Sequence, residues 1–407
     1  MATELSCRAC GHAPLQVVLS LGKLPLANRL LTAAELGDPE PRFPLDWARC
    51  PACALVQITE TVPPEILFRD YVYFSSYSDT MLRHAGELTA RLIRERGLGP
   101  GSLVVEIASN DGYLLKGYAA AGIPVLGVEP ARNVAQVAEA NGIRTLAEFF
   151  DEALAGKLAA GYGRADVIHA HNVLAHVADL SGVVRGFRAL LRDGGVAVVE
   201  VPYLRDLVDH GEFDTIYHEH LCYFSATALD RLLGRHGLVL RDVERVPIHG
   251  GSLRLFVGPA GSSGESVRRL LAEEADWGVD REEPLVAFAA RVEEMRAALV
   301  ELLGSLKRSG KSLAAYGAAA KGSTLLGYAG IGRETLDFVA DRSPHKRGRH
   351  MPGVHVPIVS PARLVDERPD YCLLLAWNFA EEIMAQQSAY RAAGGRFIVP
   401  VPTPRIV

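Results

Sequence analysis

The sequence predicts an α/β protein in which two doubly wound, Rossmann-like units follow a small metal-stapled N-terminal module. Two CxxC pairs, Cys7/Cys10 and Cys50/Cys53, use four of the six cysteines and announce the module. Two glycine-bearing strand-to-helix turns, near residues 106 and 317, mark the two α/β units. At 407 residues, 49% hydrophobic and 22% charged, the chain is too long for one core, so two or three domains are expected. The expected parts are a zinc-binding module over residues 1–68, an α/β domain over 69–260, a helical connector over 261–308 and a second α/β domain over 309–407. No apolar run reaches the roughly 20 residues of a membrane span. A formal net charge of −5 leaves no basic footprint for a phosphate backbone. We therefore expect a soluble cytoplasmic protein with neither membrane nor nucleic acid as its partner.

Two thiolates two residues apart can grip one zinc ion from a tight turn, and a second such pair completes a closed tetrahedron. Cys7, Cys10, Cys50 and Cys53 are thus the expected metal ligands, in a structural site with no position left for water. His12 follows the first pair and is expected to stay out of the ligand set. Two disulfides are the alternative, disfavoured because the start, MATELSC, is polar and carries no signal-peptide pattern. Cys222 and Cys372 stand alone and are expected to be buried and inert.

The first α/β unit opens with SLVVEIASNDGYLLKGYAAAG, which reads as a strand from Leu103 to Ile107, a loop ending in Asn110-Asp111-Gly112, and a helix. About twenty residues on, PVLGVEP reads as a second strand ending at Glu129, where an acid can grip ribose hydroxyls. The dinucleotide fingerprint GxGxxG is absent. The stretch EIASNDG instead resembles motif I of class I S-adenosylmethionine (SAM) methyltransferases, with Glu129 as the motif II acid. That resemblance implies cofactor contacts from Glu106, Ala108, Asn110, Asp111 and Glu129. Ala108 replaces the first loop glycine of the usual pattern and brings a Cβ towards the cofactor's aminoacyl end; a turn without a cofactor is the bland alternative. ADVIHAHNVLAHV then gives a strand and a loop at His171-Asn172, with His176 in the turn or helix beyond. GGVAVVEVPYL gives another strand, ending in Glu200-Val201-Pro202-Tyr203. Both strand ends should face one crevice, which makes Asn172 a cofactor candidate and Tyr203 a substrate candidate.

The densest polar cluster is DTIYHEHLCYFSATAL, where Tyr217, His218, Glu219, His220, Tyr223 and Ser225 crowd nine positions ahead of an amphipathic helix. It lacks the HExxH spacing that places two imidazoles on one helix face, so acid–base chemistry fits better than metal binding. Extended backbone would put Tyr217 and Glu219 opposite His218 and His220, whereas a turn would gather Tyr217, Glu219 and His220. A hydrogen-bonded loop that merely shapes the crevice is the alternative.

The paired knuckles, the NDG loop, NVLAHV, EVPYL, YHEHLCYFS, PIHGGSLR, YGAAAKGSTLL and DRSPHKRGRHMPGVHVPI follow one another in an order that spans essentially the whole chain. Together they resemble the zinc-containing sugar C-methyltransferases, C-3 methyltransferases acting on nucleotide-linked keto-deoxysugars of branched antibiotic sugars such as tetronitrose and mycarose. The resemblance implies a structural zinc module, a central SAM-binding domain and a C-terminal Rossmann-like domain that helps hold a thymidine diphosphate (dTDP) sugar. It maps the family's Tyr-x-Glu-His cluster onto Tyr217, Glu219 and His220, its second histidine onto His176, and an upstream tyrosine onto Tyr71 or Tyr73, of which Tyr73 is favoured as a cofactor contact. It also points to His249, in PIHGGSLR, as a substrate contact. Many members carry glycine where this chain has Ala108. A monomer or weak homo-oligomer is expected.

The chemistry explains these residue types. A sugar carbon becomes nucleophilic only when a proton next to a ketone is removed to give an enolate, which calls for a base near neutral pKa and a donor for the oxyanion. His220 suits the base, Glu219 can orient or tune it, and Tyr217 or His176 can support the oxygen. O- or N-methylation would need less and stays open. In the C-terminal third, SVRRLLAEEADW and VEEMRAALVELLGSLKRSG read as connecting helices, and KSLAAYGAAAKGSTLLGYAG as strand, small-residue loop and helix. Its backbone NH groups, with Lys321 and Ser323, could face a diphosphate, although the GxxxxGK spacing of a P-loop is missing. Asp341 ends a further strand ahead of the basic residues Lys346, Arg347 and Arg349. A nicotinamide oxidoreductase is disfavoured by the missing GxGxxG, and a noncatalytic zinc adaptor by the acidic balance and the polar strand ends.

Overall fold

The computed structural model describes residues 5–68, 74–77, 79–248 and 250–407. In chain order its N-terminal strands are β1 (Gln16–Leu24), β2 (Phe43–Arg49) and β3 (Val56–Ile58). The middle of the chain gives β4 (Val104–Ile107), β5 (Val125–Val128), β6 (Thr145–Leu146), β7 (Ala165–His171), β8 (Leu191–Pro202), β9 (Cys222–Tyr223), β10 (Val239–Val246) and β11 (Ser252–Gly258). The last third gives β12 (Leu313–Tyr316), β13 (Val339–Ala340), β14 (Ile358–Val359), β15 (Tyr371–Leu374), β16 (Arg396–Val399) and β17 (Arg405–Ile406).

The central sheet runs β10-β11-β8-β7-β4-β5-β6. It is parallel from β8 to β6, while β11 is inserted antiparallel between β8 and β10. Strand alternation divides its residues between two cores. Val104, Val167 and Val198 pack with Met81, Ala85, Leu88 and Leu92 of helix Asp79–Arg96. Val105, Ile107, Ile168 and Ala170 belong to the larger core with Leu158 and Phe187, from helices Glu152–Tyr162 and Leu180–Leu190. The C-terminal sheet runs β14-β13-β12-β15-β16-β17, parallel except for β17. Both orders place the first strand of the unit beside its second and fourth, and so leave a crevice at the carboxyl ends where the winding reverses.

The N-terminal sheet is antiparallel, and its fourth strand comes from far away. β9 pairs with β3 through Val56–Tyr223 and Gln57–Cys222. Trp47 of β2 is fully buried between Tyr223 and Phe288, with ring centroids 5.5 Å from each. Phe288 lies on the 26-residue helix Glu283–Arg308, which follows the helix Glu265–Trp277. The zinc module is thereby bolted to the segment that follows Tyr217–His220. Among the described residues no helix is long and apolar enough to cross a membrane.

Candidate active site

Both knuckles close in the same way. Gly11 N donates to Cys7 O at 2.8 Å and Ala54 N to Cys50 O at 3.0 Å, and the residue after each second cysteine has positive φ, 72° at Gly11 and 62° at Ala54. The four sulfurs lie within 4.8 Å of one another, with Cys7–Cys53 at 3.5 Å and Cys10–Cys50 at 3.6 Å. A tetrahedron with zinc–sulfur bonds of about 2.3 Å has edges of roughly 3.8 Å, so the set fits the metal, and the thiols are unpaired rather than bridged. Burial pushes the Cys50 thiol up to about 11, the cost that a bound cation offsets. Cys222 and Cys372 are free and buried, as expected.

At the end of β4 the backbone turns through three positive φ values, at Ala108 (51°), Asn110 (50°) and Gly112 (78°). A Cβ on Gly112 would stand 2.9 Å from Ile143, so this turn needs its glycine. Glu129, at the end of β5, accepts Asn110 N at 2.9 Å and Ala131 N at 2.8 Å, which ties the loop to the second strand. Asn110 in turn accepts Ser75 N at 2.9 Å. Among the described residues, three buried acceptors around this loop lack a partner: Glu106 Oε2, Asp111 Oδ1 and, at the end of β7, Asn172 Oδ1. Burial, with Glu129 and Asp111 close by, raises the Glu106 carboxyl well above its usual range, and burial raises Glu129 as well. Orphaned acceptors and strained carboxyls suit a ligand that brings donors and positive charge, as the aminoacyl end of SAM does.

The YHEH segment forms a turn, closed by His220 N donating to Tyr217 O at 2.9 Å. It is clamped on both sides: Leu221 N donates to Ala175 O, and Ile58 N of the zinc sheet to Leu221 O at 3.0 Å. Tyr217 Oη lies 3.0 Å from His220 Nε2, with ring centroids 4.1 Å apart. His220 Nδ1 donates to Thr215 O at 2.8 Å, which leaves Nε2 to accept the tyrosine hydroxyl. The His176 ring is 5.0 Å from that of His220, and its Nδ1 donates to the backbone oxygen of Glu219 at 2.6 Å. Burial lowers the His176 pKa and keeps the ring neutral.

Glu219 differs from expectation. Its carboxylate is held by Asn28 of the zinc module, through Nδ2 at 2.8 and 2.9 Å, while the carbonyl of Thr215 orients His220. Burial pushes the Glu219 carboxyl up to about 7 against the pull of Asn28. His218 points away, donating from Nε2 to Pro44 O at 3.1 Å beside Phe43. Ser225 caps the next helix by accepting Ala228 N at 3.0 Å. Tyr203, expected to touch substrate, is packed in the core at 1% exposure with the Arg245 guanidinium over its ring; its strand-end backbone bonds to Gly251 and bends the chain into the fold. Tyr73 and His249 lie outside the described residues.

Beside the crevice Glu200 gathers His84 (2.9 Å), His171 (3.2 Å) and Arg254 (2.6 Å) from three different elements. Burial opposes its charge, but His171, His84 and Arg254 together hold it well below the usual carboxylate range. His171 continues to His169 at 2.9 Å, and His169 to the Tyr118 hydroxyl at 2.9 Å. Arg254 accounts for the charge at Glu200 and stands 3.0 Å from His84, which argues against a second metal there. The strand-end position of His171 and Glu200 was visible in the sequence; His84 and Arg254 carried no local signal.

In the C-terminal unit, Asp341 accepts Ala318 N and Ser343 N, both at 2.7 Å. Lys321 lies 4.5 Å above the Trp377 ring and donates to Asn378 at 3.2 Å. Trp377 Nε1 donates to Asp214 at 2.7 Å, one residue before the carbonyl that holds His220. Ser323 is buried, and its hydroxyl has no partner among the described residues.

The order β6-β5-β4-β7-β8-β11-β10, with an antiparallel strand next to the edge and an acid closing the second strand, defines a class I SAM-dependent methyltransferase. Family models agree: a "Methyltransferase domain" matches residues 81–243, a "Putative zinc binding domain" residues 7–68 and a "C-methyltransferase C-terminal domain" residues 247–402. The C-methyltransferase NovU of Streptomyces niveus is 39% identical over 404 residues, covering 98% of this chain and 96% of that protein. The chain belongs to this C-methyltransferase family and is a SAM-dependent enzyme with a structural zinc. Solved structures of similar outline include the SAM-bound magnesium protoporphyrin IX methyltransferase of Synechocystis PCC 6803, 16% identical with a TM-score of 0.35 over 47% of this chain and 86% of that one. Another is PH0226 from Pyrococcus horikoshii OT3, 15% identical with a TM-score of 0.38 over 46% of this chain and 95% of that one.

Proposed function

We propose that the enzyme methylates carbon 3 of a dTDP-linked keto-deoxysugar, through an enolate, in the biosynthesis of a branched antibiotic sugar. The observation that carries this reading is the Tyr217–His220 pair, an imidazole whose Nδ1 is fixed by Thr215 O and whose Nε2 faces a hydroxyl at 3.0 Å. Carbon methylation needs a C–H bond broken first: the proton passes to a base and the electron pair moves onto the ketone oxygen. His220 is the base in this reading, and Tyr217 and His176 support the oxyanion as it forms. Glu219 is the second candidate base, favoured by a carboxyl pushed up to about 7. SAM, when bound, supplies an electrophilic methyl group. Glu129 would hold its ribose and Glu106, Asp111, Asn110 and Asn172 its aminoacyl end, with Ala108 alongside; Tyr73 joins them by resemblance. Cys7, Cys10, Cys50 and Cys53 hold the zinc. The diphosphate would meet the backbone of residues 317–319, Lys321 and the orphan hydroxyl of Ser323, at the start of helix Ala320–Ala329.

The test is a substrate deuterated next to the ketone. With enzyme and S-adenosylhomocysteine it is expected to lose its label to water. His220→Asn should abolish both exchange and methylation while SAM binding by calorimetry is unchanged. Full exchange in His220→Asn, with none in Glu219→Gln, would transfer the role of base to Glu219.

A further inference from the structure

Asn28 lies 191 residues from Glu219 in sequence and is the side chain that holds its carboxylate. It sits in the turn after β1, shaped by Arg29 N donating to Leu26 O at 3.1 Å and Leu30 N to Asn28 O at 2.9 Å. The same turn is fastened to the C-terminal unit: Leu31 and His350 exchange backbone hydrogen bonds at 3.0 and 2.8 Å. Asn28 itself is exposed, whereas Glu219 is 5% exposed. The amide therefore bonds both oxygens of a buried carboxylate at the point where the zinc sheet, the YHEH turn and the C-terminal unit meet. The titratable groups around Glu219 are His176, through the Glu219 backbone oxygen, and Tyr217 and His220 on its own turn. No cation among the described residues offsets its charge; Asn28 alone favours the ionised form.

We propose that Asn28 is a positioning residue of the methylation reaction, holding the Glu219 carboxyl in the crevice so that the zinc-bearing sheet takes a direct part in arranging the chemistry. This rests on the second assignment above, in which the Glu219 carboxyl is the base of the proton-transfer step. An amide donor shared by two carboxylate oxygens fixes the plane of the carboxylate as well as its charge, which the neighbouring aromatic rings cannot do.

The experiment compares wild type with Asn28→Leu and Asn28→Asp, using zinc content and SAM affinity to confirm that each variant is folded. Deuterium exchange and methylation are followed against pH, and the Glu219 carboxyl is titrated by carbon-13 NMR, its resonance identified with Glu219→Gln. Losing a donor to the ionised form raises the Glu219 pKa, so in Asn28→Leu the limb of the profile set by Glu219 should move up by about one pH unit. The turnover number should fall about tenfold or more, with little change in KM for SAM. Asn28→Asp, which sets a second carboxyl against the first, should move the limb further in the same direction. A Glu219 titration unmoved in both variants overturns the proposal. A titration that moves while the exchange profile stays fixed also overturns it, and places the fault in the assignment of Glu219 to the chemistry.

Discussion

In the central α/β unit Ser109 and Asn110 donate successive backbone NH groups to the Val128 carbonyl, at 3.2 Å, and to the Glu129 carboxylate, at 2.9 Å. In the C-terminal unit Gly317 and Ala318 do the same to the Ala340 carbonyl, at 2.8 Å, and to Asp341, at 2.7 Å. Each acid also accepts the NH two residues on, from Ala131 and Ser343. The backbone cradles match, but their contents do not. Around Glu129, among the described residues, the unsatisfied groups are the acceptor oxygens of Glu106, Asp111 and Asn172 and the hydroxyl of Ser109. Around Asp341 the loop is Gly317-Ala318-Ala319, flanked by Lys321 and by Lys346, whose ammonium donates to Ala318 O at 2.8 Å. Strand order decides where a ligand can lie, and side chains decide what charge it carries. The first cradle suits a sulfonium with an ammonium tail, and the second suits an anion.

Stripping the zinc should break this comparison most completely. β9 completes the zinc sheet and the Leu31–His350 bridge ties that sheet to the C-terminal unit, so both cradles should fail together. Structural zinc contributes about 10–16 kcal/mol in zinc-finger peptides, enough to unfold the module. Calorimetry showing one ligand still bound at full affinity after chelation would mean that the units stand independently. Next in size, Glu129→Ala should weaken SAM by about 1–3 kcal/mol and leave the affinity for the dTDP ligand unchanged. A loss in both titrations would contradict the division of labour.

The effect of pH sharpens the contrast. Glu106 and Glu129 have raised pKa values when folded, so their contribution to stability is full below the ordinary carboxylate range and is lost as pH rises through their folded values. A cationic ligand needs them ionised. The SAM-induced rise in Tm should therefore grow as pH climbs above the ordinary carboxylate range, and a rise independent of pH would remove these acids from the site. Lys321→Ala should raise KM for the dTDP sugar more than for SAM, with a smaller loss at high salt because a point charge is screened. Its internal partners, Trp377 and Asn378, keep the expected change modest. The smallest effect is expected at Ala108. Glycine accepts a φ of 51° without Cβ strain, so Ala108→Gly should stabilise the protein by about 0.5–1 kcal/mol in urea unfolding, with SAM affinity little changed.

Much of this protein was written in local pattern. Ligand spacing announced the four-cysteine site, and strand–loop–helix punctuation announced both α/β units, because close contacts along the chain leave a readable trace. Strand ends marked Glu129, His171, Glu200 and Asp341 for the same reason: parallel sheets send those positions to one edge. Tertiary structure decided what the residues do there. The sequence allowed Tyr217, Glu219 and His220 to act together, and the fold divided them, pairing Tyr217 with His220 and giving Glu219 to Asn28. It put Tyr203 in the core, and it supplied the zinc sheet with a strand from beyond the YHEH turn. These contacts join residues up to 191 apart, such as Asn28 and Glu219. No periodicity or motif encodes such pairs, because what brings them together is the burial of one sheet against another, a property of the whole packed chain.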